Sequence, residues 1–397
     1  MAGYKLYVSG YTQSADDDGI LIYDVSADGR TASQTAGANG VPSPSFLAFD
    51  GVRVYAASET DGAGGLASYV MDANGVPHVD GHVTFPDAAD TCFVLMHPKG
   101  TRLYGADYCA NGASGPAGSV CVAPVNADGT LGADVVRIQH EGHGAGRAKD
   151  DPNYGRQDTA HVHTLSFVPG ANVLAAVDLG LDLIALYQLD GDGSVQAAPG
   201  GALHLERAPE PVNGFGPLVA DLPLRPAAVV EAPLYTGPRI VAYHPTQRVA
   251  AVVCELGCEL LLYRFSEDGL TWDLFAQWDL LHGAPDVRNP NDFDKPPLSA
   301  HCAFTKDGRF LYASTRGTDT MTVFELDEDC HQVSQWVCSC EGKTPRHFAL
   351  SPDERLIAVA NQTSDSISIF ARDAHTGKLS LTANVGCSVH PSFVHWA

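Results

Sequence analysis

Ala160-His161-Val162-His163-Thr164-Leu165-Ser166-Phe167, followed across Pro169-Gly170 by Val173-Leu174-Ala175-Ala176-Val177-Asp178, is the stretch that decides the fold. A short apolar run, a tight turn and a second apolar run ending on a polar residue read as two paired strands. The pattern recurs at Pro44–Ser58, Thr91–Asp107, Pro238–Cys254, Ser299–Thr315 and Thr344–Asn361. Each copy is followed by two further strand signals around a turn, as in Gly118-Ser-Val-Cys-Val-Ala-Pro-Val before Asn126-Ala-Asp-Gly. Four short strands per unit, spaced roughly 45–50 residues apart, are the signature of a β-propeller blade. No stretch carries the period of a long amphipathic helix.

A seventh first strand, His390-Pro-Ser-Phe-Val-His-Trp396, has no second strand behind it. Its partners stand at the other terminus: Lys5-Leu-Tyr-Val-Ser-Gly, Gly19-Ile-Leu-Ile-Tyr-Asp and the segment after Gly29. The expected architecture is therefore all-β. It is one seven-bladed propeller domain over residues 1–397, with four antiparallel strands per blade. The N- and C-terminal strands close the last blade, which removes free sheet edges. Excess length falls at about 140–160, 197–237 and 281–298, where insertions are expected on the rim. Long loops in a compact domain are commonly functional.

The 24 Lys and Arg against 47 Asp and Glu leave a net charge of −23. That balance argues against nucleic acid or an anionic membrane as partner. It leaves room for a small anionic substrate, because a few pocket arginines reverse the local potential. The N-terminus lacks a secretory apolar core, and no run approaches membrane-spanning length. Ten cysteines without framework spacing read as reduced thiols, and the expected location is cytoplasmic.

In a propeller, polar residues at the ends of the inner strands meet at the axis. First strands carry His161, His163, Arg239, His301, Arg346 and His347, and second strands end in Asp178, Glu255, Arg316 and Asn361. In a strand His161 and His163 would share a face. Histidine, carboxylate and guanidinium in one funnel are parts for acid–base chemistry on an anionic substrate. His97 and His244, in turns before proline, are expected at the solvent. Cys254-x-x-x-Cys258 and Cys338-Ser-Cys340 lack zinc-site spacing, so neither metal nor other cofactor is expected. Serine-hydrolase and nucleotide motifs are absent from the sequence.

Gln139-His140-Glu-Gly, Arg156-Gln157, His161-x-His163 and Val177-Asp178-Leu-Gly-x-Asp182 together resemble the propeller-type 6-phosphogluconolactonase family, whose relatives include carboxy-cis,cis-muconate cyclases. Gly237-Pro-Arg239, Ser314-Thr-Arg316-Gly and Pro345-Arg346 extend the resemblance over essentially the whole chain. The resemblance implies a lactonase with His163, Arg239, Glu255 and Arg316 as its catalytic set. Around that set, His140, Arg156, His161, Asp178, His301, Arg346 and Asn361 are expected to bind the substrate, a small anionic lactone. His163 would be the general base, and Glu255 would orient it or act as partner acid. The arginines would hold the substrate and its oxyanion. Departures at Leu183, Ser299, Thr91-Cys92-Phe93 and Thr315 bear on the substrate rather than on that set. A lactonising or delactonising cyclase and a non-catalytic binding propeller are the alternatives.

Overall fold

The computed structural model describes residues 3–85, 88–109, 118–146, 155–207, 217–282 and 297–397. Seven antiparallel sheets of four strands each are joined by one sheet of three. The first blade pairs His390–Trp396 with Tyr4–Tyr11, then Ile20–Val25 and Ala32–Ala38, so both termini share one sheet. The other six begin at Pro44, Ala89, Val162, Pro238, Leu298 and Pro345, and their strands follow in chain order. The innermost strands of neighbouring blades touch one another around a closed ring. Among the described residues there is no helix.

The sequence dictates how deep each strand lies. Second strands such as Val173–Asp178, Val249–Cys254 and Leu356–Asn361 are apolar throughout except at the end, and every residue in them is buried. Outer strands such as Gln332–Ser339 alternate polar and apolar residues and keep one face in water. Between blades the core is a stack of aliphatic faces, for example Val177 and Ile184 with Val241, Val252 and Leu261.

Two features depart from the sequence expectation. The 197–237 insertion is not all rim, because Ala228–Glu231 supplies the outer strand of the fourth blade. Leu203–Arg207 and Leu218–Leu222 join Glu141–His143 in the additional three-stranded sheet. There Gly142 has φ of 116°, and a Cβ would sit 1.9 Å from the Val219 carbonyl oxygen, so the pairing requires glycine. Most of the third insertion, 283–296, lies outside the described residues.

His97 and His244 are both buried at 6% exposure rather than at the solvent. Their rings serve the turns: His244 Nδ1 accepts from the Gln247 N–H at 3.1 Å and packs on Phe304. His97 Nδ1 lies 3.0 Å from Thr101 Oγ1.

Blades are tied in sequence by aspartates with positive φ in the turn after the second strand. Asp182, at φ 47°, accepts the Tyr235 and Gly237 N–H groups at the entrance to the fifth blade, both at 2.8 Å. Asp319, at φ 54°, accepts the Thr344 N–H at the entrance to the seventh. Asp365 reaches His390 Nδ1 at 2.7 Å, at the strand that closes the ring. Short polar side chains tolerate this conformation and bond locally in it.

Candidate active site

The site follows from one backbone device used in every blade. Pairing between first and second strands shifts register at Pro44/Phe46, Thr91/Phe93, Val162/Thr164, Pro238/Ile240, Ser299/His301 and Pro345/His347. In the terminally closed blade the shift falls between Gly10–Pro391 and Ser9–Phe393. A bulge inserts one unpaired residue and re-aims its side chain. The seven bulge residues are Ser45, Cys92, His163, Arg239, Ala300, Arg346 and Ser392. All but Ala300 line a narrow recess of about 20 Å³ at the axis.

The register then sorts the polar ends of the second strands into two rings. Gly10, Ser58, Asp107, Asp178, Cys254, Thr315 and Asn361 share one register position and are all buried behind the lining. The next residue in each blade is Tyr11, Glu59, Tyr108, Leu179, Glu255, Arg316 or Gln362. Of these, Glu59, Tyr108, Glu255 and Arg316 line a cavity of about 410 Å³, together with His163, Arg156, Arg346, Asp90, Cys92 and Cys109. Glu59, Cys92, His163 and Arg346 line both this cavity and the recess.

One residue further along each first strand comes the floor. Phe46 packs on Phe93 at 4.2 Å between ring centroids and on Phe393 at 4.4 Å. His347 lies 4.1 Å from His301 and 4.6 Å from Phe393. This layer closes the channel beneath the polar groups. His301 and His347 therefore belong to the floor. Burial first, then Arg239, holds His301 down at about 3. Burial, then His301, drives His347 well below the ordinary histidine value.

Glu255 is the hub, 1% exposed. Its Oε2 receives Arg239 Nε at 2.7 Å and a terminal Arg316 nitrogen at 2.9 Å, and its Oε1 receives Arg156. Burial alone would raise its pKa, but Arg156, Arg316 and Arg239 together hold it well below the usual carboxylate range. Arg239 also donates to the bulge carbonyl of Ala300, and Arg316 Nε to Leu298 O at 3.2 Å. Arg239 thus ties the fifth blade to the sixth, and Arg316, anchored within the sixth, returns the tie through Glu255. Arg346 lies 3.6 Å from Glu59 and above the Tyr11 ring, whose hydroxyl donates to Glu59 at 2.9 Å. Burial opposes the Arg346 charge, yet Tyr11, Glu59 and Glu255 outweigh it and raise its pKa.

His163 is 6% exposed, and among the described residues its ring makes one weak hydrogen bond, Nδ1 to Thr164 Oγ1 at 3.4 Å. Among the described residues nothing bonds its Nε2. Burial, reinforced by Arg239, keeps the ring neutral well below the ordinary histidine pKa. Its Nε2 is a free lone pair or donor in a cavity walled by guanidinium groups. Glu255 makes no hydrogen bond to it among the described residues, because both carboxylate oxygens are taken by arginines.

Other expected residues fall behind this wall. Asp178 accepts the His161 and Leu181 N–H groups at 2.9 and 3.0 Å and meets His140 Nδ1 at 2.9 Å, while His140 Nε2 meets the Tyr187 hydroxyl at 2.9 Å. These fully buried groups brace the strand and do not line the cavity. His161 stacks on Tyr108 at 4.3 Å, and its Nδ1 lies 2.7 Å from the Tyr108 carbonyl oxygen. Asn361 donates to Ser368 at 2.8 Å and lies one residue short of the lining position. Arg156 does reach the cavity, where its Nε donates to Tyr108 Oη at 3.0 Å.

The sequence reading missed Tyr11, Glu59, Tyr108 and Asp90. The first three were detectable, since each stands at the Glu255 position of its own repeat. Asp90 is the second residue of the first strand Ala89–Met96 and has no repeat signal. Among the described residues no three His, Cys, Asp or Glu side chains gather so as to hold a metal ion. All ten cysteines are free.

The model of a lactonase family with a 7-bladed β-propeller fold matches residues 5–210 and 219–396. A 6-phosphogluconolactonase of Bacillus subtilis is 28% identical over 411 residues, covering 100% of this chain and 99% of its own. Among solved structures, the periplasmic gluconolactonase of Pseudomonas aeruginosa is 27% identical with a TM-score of 0.75, covering 100% of this chain and 99% of its own. A Lactobacillus plantarum protein, 22% identical with a TM-score of 0.78 and the same coverages, shares the fold. With bulge register, closure and sequence all in agreement, the chain belongs to the seven-bladed β-propeller lactonase family.

Proposed function

We propose that this enzyme hydrolyses the internal ester of an anionic sugar lactone, such as 6-phosphogluconolactone, using side chains and water alone. Family membership makes it a carboxylic ester hydrolase by class. The observation that carries the finer reading is a neutral His163 sharing one cavity with Arg156, Arg316 and Arg346 around an ionised Glu255.

Water attacks the carbonyl carbon while His163 Nε2 takes its proton. The carbonyl π pair moves onto oxygen and is met by guanidinium donors, which act strongly in a site with little water. Collapse breaks the bond to the ring oxygen, which leaves with the proton from His163. Lactone and water become a hydroxy acid, and the histidine is neutral again. Glu255 serves as an anchor: an ionised carboxylate shared by three guanidinium groups sets their positions and is a poor proton acceptor.

Ten free thiols favour a reducing, cytoplasmic setting. The test is a pH-stat assay against 6-phosphoglucono-δ-lactone and unphosphorylated glucono-δ-lactone, with spontaneous hydrolysis subtracted. We expect turnover that falls about 10²–10⁴-fold in His163→Ala. A wild-type rate equal to the spontaneous one on both lactones sinks the reading.

A further inference from the structure

Tyr108 stands at the Glu255 position of the third blade and lines the same cavity. Its oxygen accepts a hydrogen bond from Arg156 Nε at 3.0 Å, so the hydroxyl's own proton is not used in that contact. Among the described residues no group accepts that proton. The ring is fixed on two sides, stacked on His161 at 4.3 Å and edge-on to His163 at 5.8 Å. Its backbone carbonyl is held by His161 Nδ1 at 2.7 Å. A half-buried hydroxyl with an unspent proton, held on a rigid ring at the cavity wall, is a group awaiting a partner.

We propose that the Tyr108 hydroxyl donates a hydrogen bond to the oxyanion formed when water attacks the lactone carbonyl. The assignment rests on the lactonase reading and adds a neutral donor to the charged ones. Arg156, bonded to the phenol oxygen, polarises the O–H bond and strengthens its donation as charge develops on the substrate. Burial raises the phenol pKa, so the proton stays in place through the neutral range. Tyr108 would then touch the reacting oxygen directly and be a catalytic residue, and Arg156 would be its positioning partner.

Two variants separate donation from packing. Tyr108→Phe keeps the ring stack and is expected to lower kcat about 10²-fold with KM nearly unchanged, as for loss of one oxyanion donor. Site-specific replacement of Tyr108 by 3,5-difluorotyrosine keeps ring, hydroxyl and acceptor but acidifies the phenol. A donor role then requires the alkaline limb of kcat to move to lower pH, because the phenolate cannot donate. A phenol that merely anchors Arg156 accepts better when ionised and predicts no such movement. Wild-type turnover matched by Tyr108→Phe, or an unmoved alkaline limb in the fluorinated enzyme, overturns the assignment and leaves the lactonase reading standing. Absence of wild-type lactone turnover overturns both.

Discussion

Glu255 and His163 occupy one cavity, yet their removal should have different consequences. Glu255→Gln leaves Arg156, Arg239 and Arg316 close together without their counter-charge. Breaking a buried ion pair from one side costs about 3–5 kcal/mol, so the variant should lose both stability and activity. His163→Ala removes a buried neutral ring with one weak hydrogen bond, and should lose turnover while its denaturation midpoint moves far less. Parallel urea melts and rate measurements decide this, and equal stability losses in both variants would count against Glu255 as anchor. The pH profile of the wild type gives a second check. The active form of His163 is neutral, and its pKa in the fold lies well below the ordinary 6.5. The acidic limb of kcat/KM should therefore lie clearly below 6.5, where an exposed histidine base would already have lost half its activity.

At the scale of the element, the device that makes the site is the bulge, and this divides what the sequence showed from what it hid. Strand runs, turns and blade count are legible, because alternation and turn residues are local signals. A bulge is a relation between two strands, and the same Pro-Arg-Ile or His-Val-His reads as unbroken strand. Period-2 alternation accordingly joined His161 to His163, and it grouped Asp178 and Asn361 with Glu255 and Arg316. The true register shifts the lining position by one residue, which reverses a side chain's facing. Glu255 and Arg316 were legible because glutamate and arginine are unusual at that point of the repeat. Tyr108 and Glu59 passed as ordinary strand ends. Bulges also need a fixed entrance, and Asp182 supplies it two residues before Arg239 by accepting the Gly237 N–H at 2.8 Å. Asp182→Ala removes the acceptor of two N–H groups, that of Gly237 buried, and should cost about 2–5 kcal/mol. In the folded fraction it should lower kcat/KM through Arg239, while Asp182→Asn, which retains an acceptor, should do less of both. A fully stable, fully active Asp182→Ala enzyme would show that the latch does not position the site.

The whole ring closes on a floor that contains two neutral histidines, His347 buried and His301 partly so, and this couples the fold to pH in a definite direction. His301 and His347 stand among Phe46, Phe348 and Phe393, with pKa values held below 6.5, His301 at about 3. Unfolding exposes them to water, where each binds a proton below 6.5. The unfolded state then binds more protons than the folded one, and stability falls as pH drops from 6.5 toward the folded pKa values. Asp182 acts in the opposite sense, since burial raises its carboxyl to about 6 and favours the protonated folded form at low pH. The wild-type curve mixes these contributions, so the difference between two proteins is the cleaner quantity. His301→Phe keeps the aromatic layer and removes one titrating group. Its stability relative to wild type should improve as pH falls from 6.5 to 5, by at most about 1.4 kcal/mol per pH unit. Whatever constant offset the new ring introduces cancels from that slope. Urea midpoints at pH 7.5, 6.5, 5.8 and 5.0 measure it. Parallel curves for the two proteins would mean that His301 is charged or solvated in the fold, and that the floor does not seal the channel beneath the active site.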